Sequence, residues 1–145
     1  MSLFSTLSIS ASGMAAQRTR AELLTENLAN AETTRTPEGG PYRRKDVVFE
    51  AQAASQPFAS VLDDAMNSGP VGVGVADVVV DTREPERRYL PSHPDAGPDG
   101  YVAFPHVNPA EEMVDLMSAS RGYQANIASM SAIKDMIQRS IDLMR

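Results

Sequence analysis

The chain has 145 residues, a formal net charge of −6 and no cysteine. That length fits one domain, or one small domain with extensions. The lack of cysteine excludes a disulfide framework, thiol chemistry and a cysteine metal site, and the acidic balance argues against a nucleic-acid partner, which needs a basic surface. The longest nearly apolar run, Val71 to Val80, is too short to span a bilayer and is broken by Asp77. No basic residue precedes Arg18 and no continuous apolar stretch opens the chain, so a cleaved secretory signal is not expected.

Proline and glycine divide the sequence. Nine of the ten prolines and seven of the nine glycines lie between Thr36 and Asn108, where they break regular structure. The expected organisation is therefore an N-terminal helix in residues 1–34, a Pro/Gly-rich loop and small β region in 35–108, and a C-terminal helix in 109–145. The first and last form one helical domain.

The first segment carries a seam. Leu3, Leu7, Ser10, Met14, Gln17, Ala21, Leu24 and Leu28 step by four and three in strict alternation, and six of the eight are apolar. That spacing predicts a helix over residues 2 to about 30, with Ser2 as a cap and Asn30 as its end, since asparagine tolerates the left-handed conformation. Gly13 lies inside it and costs roughly 1 kcal/mol against alanine. It is either a tolerated weakness or a place of close helix approach.

Residues 31–46 read as a loop, with Gly39, Gly40 and Pro41 at its centre and Arg35, Arg43, Arg44 and Lys45 as a local basic cluster. No strand or Walker spacing flanks the glycines, so a solvated or partner-facing cluster is expected rather than a phosphate site. Short β-like pieces follow at Lys45 to Phe49, Val71 to Val80, Arg88 to Leu90 and Tyr101 to Phe104. A helical turn is expected between Phe58 and Met66. Turns are expected at Ser68-Gly69-Pro70, Pro94-Asp95 and Pro98-Asp99-Gly100. These pieces predict a small antiparallel sheet or ribbon.

The last segment carries the longer seam: Met113, Leu116, Ser120, Tyr123, Ile127, Met130, Lys134, Ile137, Ile141 and Met144, eight of ten apolar. This is the rhythm of a helix that keeps one stripe against a partner helix. Asn108 suits the cap, Pro109 the first helical position and Glu111 the capping-box carboxylate. Two terminal seams predict an antiparallel, coiled-coil-like hairpin with the β-rich middle at its far end. Polar breaks at Ser10, Gln17, Ser120 and Lys134 leave each stripe incompletely buried by one partner. The terminal helices are expected to complete their burial against other chains.

The sequence holds no catalytic constellation. His93 and His106 stand 13 residues apart in proline-rich turns, without the three or four converging ligands of a metal site. Ser92, His93 and Asp95 are a triad only on paper, without a nucleophile elbow. Glu111 and Glu112 are explained by favourable charge at a helix N-terminus. No enzyme activity and no cofactor are expected. The alternatives from other classes are a small hydrolase using a histidine and a self-contained helical adaptor or secretion-chaperone-like module.

Ser12-Gly13-Met14, Ala16-Gln17, Asn27-Leu28-Ala29-Asn30-Ala31 and Gly39-Gly40-Pro41-Tyr42 resemble the signature of the bacterial flagellar rod and hook axial proteins. So do Tyr89-x-Pro91-x-His93-Pro94, Val107-Asn108-Pro109 and Ser118-x-Ser120-Arg121-x-Tyr123-Gln124-x-Asn126. Glu32 and His106 depart from that pattern without touching the seams. The resemblance implies a structural rod subunit of the flagellar basal body, in the periplasmic space, that assembles with other rod proteins and copies of itself. It also implies export through the flagellar type III apparatus as an unfolded chain.

Overall fold

The computed structural model describes residues 3–53 and 71–143. The Ser2 cap, the turns expected between Phe58 and Met66 and at Ser68-Gly69-Pro70, Met144 and the side chain of Leu3 lie outside the described residues.

Among the described residues, two long helices and two β ribbons make up the fold. Helix α1 spans Leu3–Ala29 and helix α2 spans Pro109–Leu143. The start of α2 is capped as its sequence requires: the Asn108 side-chain oxygen accepts the Ala110 N–H at 3.1 Å, and its carbonyl accepts the Glu112 N–H at 3.1 Å. Helix α1 stops where the backbone and side-chain amides of Asn30 both donate to the Glu26 carbonyl, at 3.1 and 2.9 Å. The side chain thus binds the carbonyl of the last turn, and Thr33 then folds back on Asn30.

The helices pair antiparallel. Going down α1, Gly13 faces Asn126, Gln17 faces Gly122, Arg20 reaches Asp115 and Asn27 reaches Glu112. Small and polar residues supply these contacts, and the large apolar residues buried on the two helices are Leu24 and Ile133. A Cβ on Gly13 would lie 3.0 Å from the Asn126 amide, and one on Gly122 would lie 3.2 Å from Gln17. Gly13 therefore serves close helix approach, within the chain itself. On α2 the buried residues Glu112, Ala119 and Ile133 sit one position before the stripe positions Met113, Ser120 and Lys134. The stripe lies on the flank of the pair rather than between the helices.

Between the helices, β1 (Lys45–Ala53) pairs antiparallel with β2 (Val71–Val80), and β3 (Glu86–Tyr89) with β4 (Tyr101–Phe104). The first strand is longer than its sequence suggests and the third starts earlier. Each ribbon is a separate two-stranded sheet. In β2 the valines change parity, from Val71, Val73 and Val75 to Val78 and Val80. A register shift opposite Val48 and Phe49 leaves Ala76 as the extra residue. This bulge absorbs the change, so both valine sets fall on one face.

Few apolar side chains are buried: Ala16, Leu24, Tyr42, Val102, Phe104, Ala119 and Ile133 among the described residues. At about 1.5 Å per residue, the 35 residues of α2 run roughly 50 Å, so the helix pair is elongated.

One polar junction joins the two helices to the first ribbon. Asn27 is completely buried and Glu112 is 2% exposed. The Asn27 side-chain oxygen accepts from the Tyr42 hydroxyl and the Lys45 N–H, both at 2.9 Å. Its amide donates to the Lys45 carbonyl at 2.8 Å and to Glu112 Oε2 at 3.1 Å. Both donors and both acceptor sites of one side chain are thus used. Arg44 Nε closes on the other Glu112 oxygen, and Lys45 Nζ reaches Glu26 at 2.6 Å. The C-terminal end of α1, the start of β1 and the first turn of α2 meet at this point.

Replacing Asn27 with leucine strands the Tyr42 hydroxyl, both backbone groups of Lys45 and one Glu112 oxygen. Each orphaned group costs about 1–3 kcal/mol, so N27L should lose at least about 3 kcal/mol in urea unfolding of the isolated chain followed by circular dichroism. A loss under about 1 kcal/mol would show that the junction does not hold the fold. Burial, with the nearby Glu26 and Glu112 carboxylates, pushes the Tyr42 phenol up to about 12 from 10.0. A raised value in the folded chain means a contribution fully present below pH 10 and lost as pH rises through about 12. Alkaline unfolding should coincide with the last tyrosinate absorbance step, and Y42F should remove that step.

Candidate assembly surfaces

The seam residues occupy three kinds of place. Leu24 is 3% exposed and belongs to the chain's own core. Leu7, Met14, Ala21, Leu28, Leu116, Met130 and Ile137 are half-buried. Met113, Tyr123, Ile127 and Ile141 are 38–53% exposed. Leu7 and Met14 of α1 stand beside Ile127, Met130 and Ile137 of α2 along an open groove of about 480 Å³. The α2 stripe and the outer members of the α1 stripe therefore run side by side on one flank of the hairpin, while Ser10, Gln17 and Leu24 of the α1 stripe turn inward. Lys134, the one charged side chain lining the groove among the described residues, sits within them.

The polar breaks are placed differently. Ser10 is buried and donates to the Thr6 carbonyl at 3.1 Å. Gln17 lies in the helix contact, with its side-chain oxygen buried and unpaired. Ser120 and Lys134 are exposed.

The β1–β2 ribbon lies against α1. The Ser12 hydroxyl donates to the Ile9 carbonyl at 2.8 Å and accepts the Val73 N–H at 3.1 Å. A Cβ on Gly72 would stand 2.8 Å from that hydroxyl, so glycine lets strand and helix touch. Cross-strand partners share a face. Lys45, Val47, Phe49, Ala51, Val71, Val73, Val75, Val78 and Val80 make up the opposite face, with eight of the nine apolar.

The β3–β4 ribbon turns Val102 and Phe104 inward and stacks the Arg88 guanidinium 4.8 Å from the Phe104 ring centre. His93 Nδ1 accepts the Asp95 N–H at 3.1 Å, and its ring packs on Phe104 at 6.2 Å. Thr34 donates to Asp95 at 2.8 Å. His93 thus shapes a turn that docks on the loop after α1, and its Nδ1 is engaged there by the backbone. No group of three or more metal-binding side chains occurs among the described residues. Arg83, through its guanidinium and its backbone N–H, holds the Asp81 carboxyl down at about 2.

In the basic cluster, Arg44 turns inward to Glu112 and Lys45 to Glu26, while Arg35 stands 3.9 Å from Asp95. Gly39 and Gly40, at φ 92° and 78°, adopt a conformation that glycine alone enters without cost. They turn the loop before the half-buried Pro41 so that Tyr42 points at Asn27. The motif residues Ser12, Gly13, Asn27 and Tyr42 therefore each make a specific contact that fixes one element on another, and Asn30 ends α1. Met14 and Leu28 do not join the junction. The sequence reading did not single out Arg44 and Glu112 as partners, nor Gly122 and Asn126 as contact residues. Their signal was a polar or small residue one position off each apolar stripe.

No described helix is long and apolar enough to cross a membrane. Residues 99–143 match the family model described as flagellar basal body rod FlgEFG protein C-terminal. The chain is 40% identical over 150 residues to the flagellar basal-body rod protein FlgC of Bacillus subtilis (strain 168), covering 99% of both chains. It is 38% identical over 152 residues to FlgC of Borreliella burgdorferi, covering 100% of this chain and 99% of the other. It is 39% identical over 144 residues to FlgC of Salmonella typhimurium, covering 99% and 98%. Matched end to end at this level, and with the rod motif residues holding its elements together, the chain belongs to the FlgC family of flagellar basal-body rod proteins.

Proposed function

We propose that the chain is a structural subunit of the proximal rod, built into the wall of a torque-transmitting tube by its terminal helices. Its neighbours are other rod proteins and copies of itself, in the periplasmic space. It reaches that place through the flagellar type III export apparatus, without a cleaved signal. Residues 1–34 and 109–145 form the assembling helical domain, and residues 35–108 make the outer contacts. It works as a structural part and not as an enzyme. The observation that carries this reading is the inside-out helix pair: small and polar residues meet within the chain, while Met113, Tyr123, Ile127 and Ile141 remain exposed. Patches of this kind mark interaction surfaces.

Ile127 is 46% exposed, so Ile127→Asp tests assembly without disturbing the core. Leu24→Asp would place a charge at a buried site and test folding instead. The expected result for I127D is a chain that is exported but missing from purified basal bodies, with swimming lost. Incorporation at the wild-type level would sink the proposal.

A further inference from the structure

The β1–β2 ribbon has two long edges, and the backbone groups along them can be followed residue by residue. Opposed residues in an antiparallel pair alternate between those bonded across the pair and those whose N–H and C=O point outward. Lys45 bonds to Asn27 through both backbone groups, so the outward set on β1 starts there and continues at Val47, Phe49 and Ala51. The Val73 N–H, opposite Ala51, also points outward, to the Ser12 hydroxyl. The alternation therefore carries through the bulge.

Helix α1 meets the ribbon on a diagonal, at the β1 edge beside Asn27 and at the β2 edge beside Ser12. Side chains occupy two further outward amides. The Asp46 carboxylate accepts the Val47 N–H and the Asp77 carboxylate the Val78 N–H, both at 2.8 Å. Charged side chains placed this way keep stray strands off an edge. On β1 this protection stops at Val47. The Phe49 and Ala51 N–H groups have no acceptor among the described residues, and both residues are exposed.

Outward groups two residues apart, about 7 Å, match the backbone of another extended strand. A ribbon of two strands is marginal alone and gains from a third. The neighbouring side chains describe that strand. On the apolar face it continues the row of Phe49, Ala51 and Val73, which asks for apolar residues at alternate positions. On the other face Glu50 stands opposite Gly74, with no side chain across the ribbon. That carboxylate asks for a lysine or arginine beside it. The ribbon of a second copy does not supply one, since its one basic residue, Lys45, is bonded to Glu26.

We infer that the outer edge of β1, at Phe49 and Ala51, receives an extended strand of a different partner chain, apolar at alternate positions and basic beside Glu50. The inference rests on the rod-subunit reading and names the kind of partner it requires. The Ala51 N–H takes no part in the pairing with β2, so Ala51→Pro removes an edge donor and leaves the ribbon paired. Ala51→Val keeps the donor. In purified basal bodies A51P should fall about tenfold below the wild-type chain, the loss of one hydrogen bond at the contact, while A51V stays level with it. Wild-type incorporation of A51P overturns the contact, and so does an equal loss of A51V. Hydrogen exchange on the unaltered chain tests it independently of any variant's folding. The Phe49 and Ala51 amides should exchange fast in the isolated chain and slowly in basal bodies, with Glu50 and Gln52 slow in both. Fast exchange at Phe49 and Ala51 in basal bodies overturns the contact. With Phe49 replaced by the photo-cross-linker benzoylphenylalanine, a cross-link to another rod protein supports the partner named here, and cross-links between copies of this chain alone overturn it. Absence of the wild-type chain from basal bodies overturns the rod reading instead, and with it this contact.

Discussion

One buried asparagine holds the arrangement together. Asn27 has four hydrogen-bonding positions and the chain satisfies all of them, using a phenol, both backbone groups of Lys45 and a carboxylate. A polar side chain in this position tolerates no approximate solution, because a shift of the ribbon or of α2 leaves a group buried and unpaired. The bonds to Lys45 fix where the ribbon begins. The bond to Glu112 fixes how far along α2 the helices pair. The Arg44–Glu112 ion pair adds little net stability by itself, since two desolvated charges roughly cancel their own attraction. Its contribution is to specificity, as it permits one register.

With the register set by polar contacts, the helix pair has no need of an apolar seam. Gly13 and Gly122 bring the backbones close, and Gln17 and Asn126 fill the space beside them. The large apolar residues are left on the flank and on the outer face of the ribbon. In a solitary globular protein this distribution would waste hydrophobic free energy. In a subunit it places that free energy where neighbours collect it. The same economy explains a core that amounts to little more than Leu24, Val102, Phe104 and Ile133 with two alanines and a tyrosine.

Much of this was legible in the residues. The alternating steps from Leu3 to Leu28 and from Met113 to Ile141 mark two long helices, and the concentration of proline and glycine marks the irregular middle. The Asn108-Pro109 start and the Asn30 end are local chemistry and can be read locally. What the spacing does not say is which neighbour an apolar stripe meets. A 3.5-residue period is the same whether the stripe faces its own chain or another. The inner line of α2 passes Ala119, Gly122 and Asn126 before it reaches Ile133, and its small and polar members carry too little hydrophobic signal for a pattern search. Asn27 and Tyr42 stood out as motif residues, but their shared contact depends on the loop turn at Gly39 and Gly40. Glu112 looked like a helix-terminus charge because nothing in sequence links it to Arg44, 68 positions earlier.

The position of the junction has a mechanical consequence. It lies at one end of the hairpin, while the start of α1 and the end of α2 lie at the other. Between them the contacts are mostly small and polar, with Leu24 and Ile133 as the large buried apolar residues and the Gln17 oxygen unmatched. Pulling on either of these helix ends loads these contacts one after another rather than all together, which is peeling and not shear. The force needed stays low until the asparagine is reached, and only there does it rise. Torsion applied along the flank meets the whole length of both helices at once. The same molecule is therefore easily unzipped by a pull at its ends and stiff against a twist about its length.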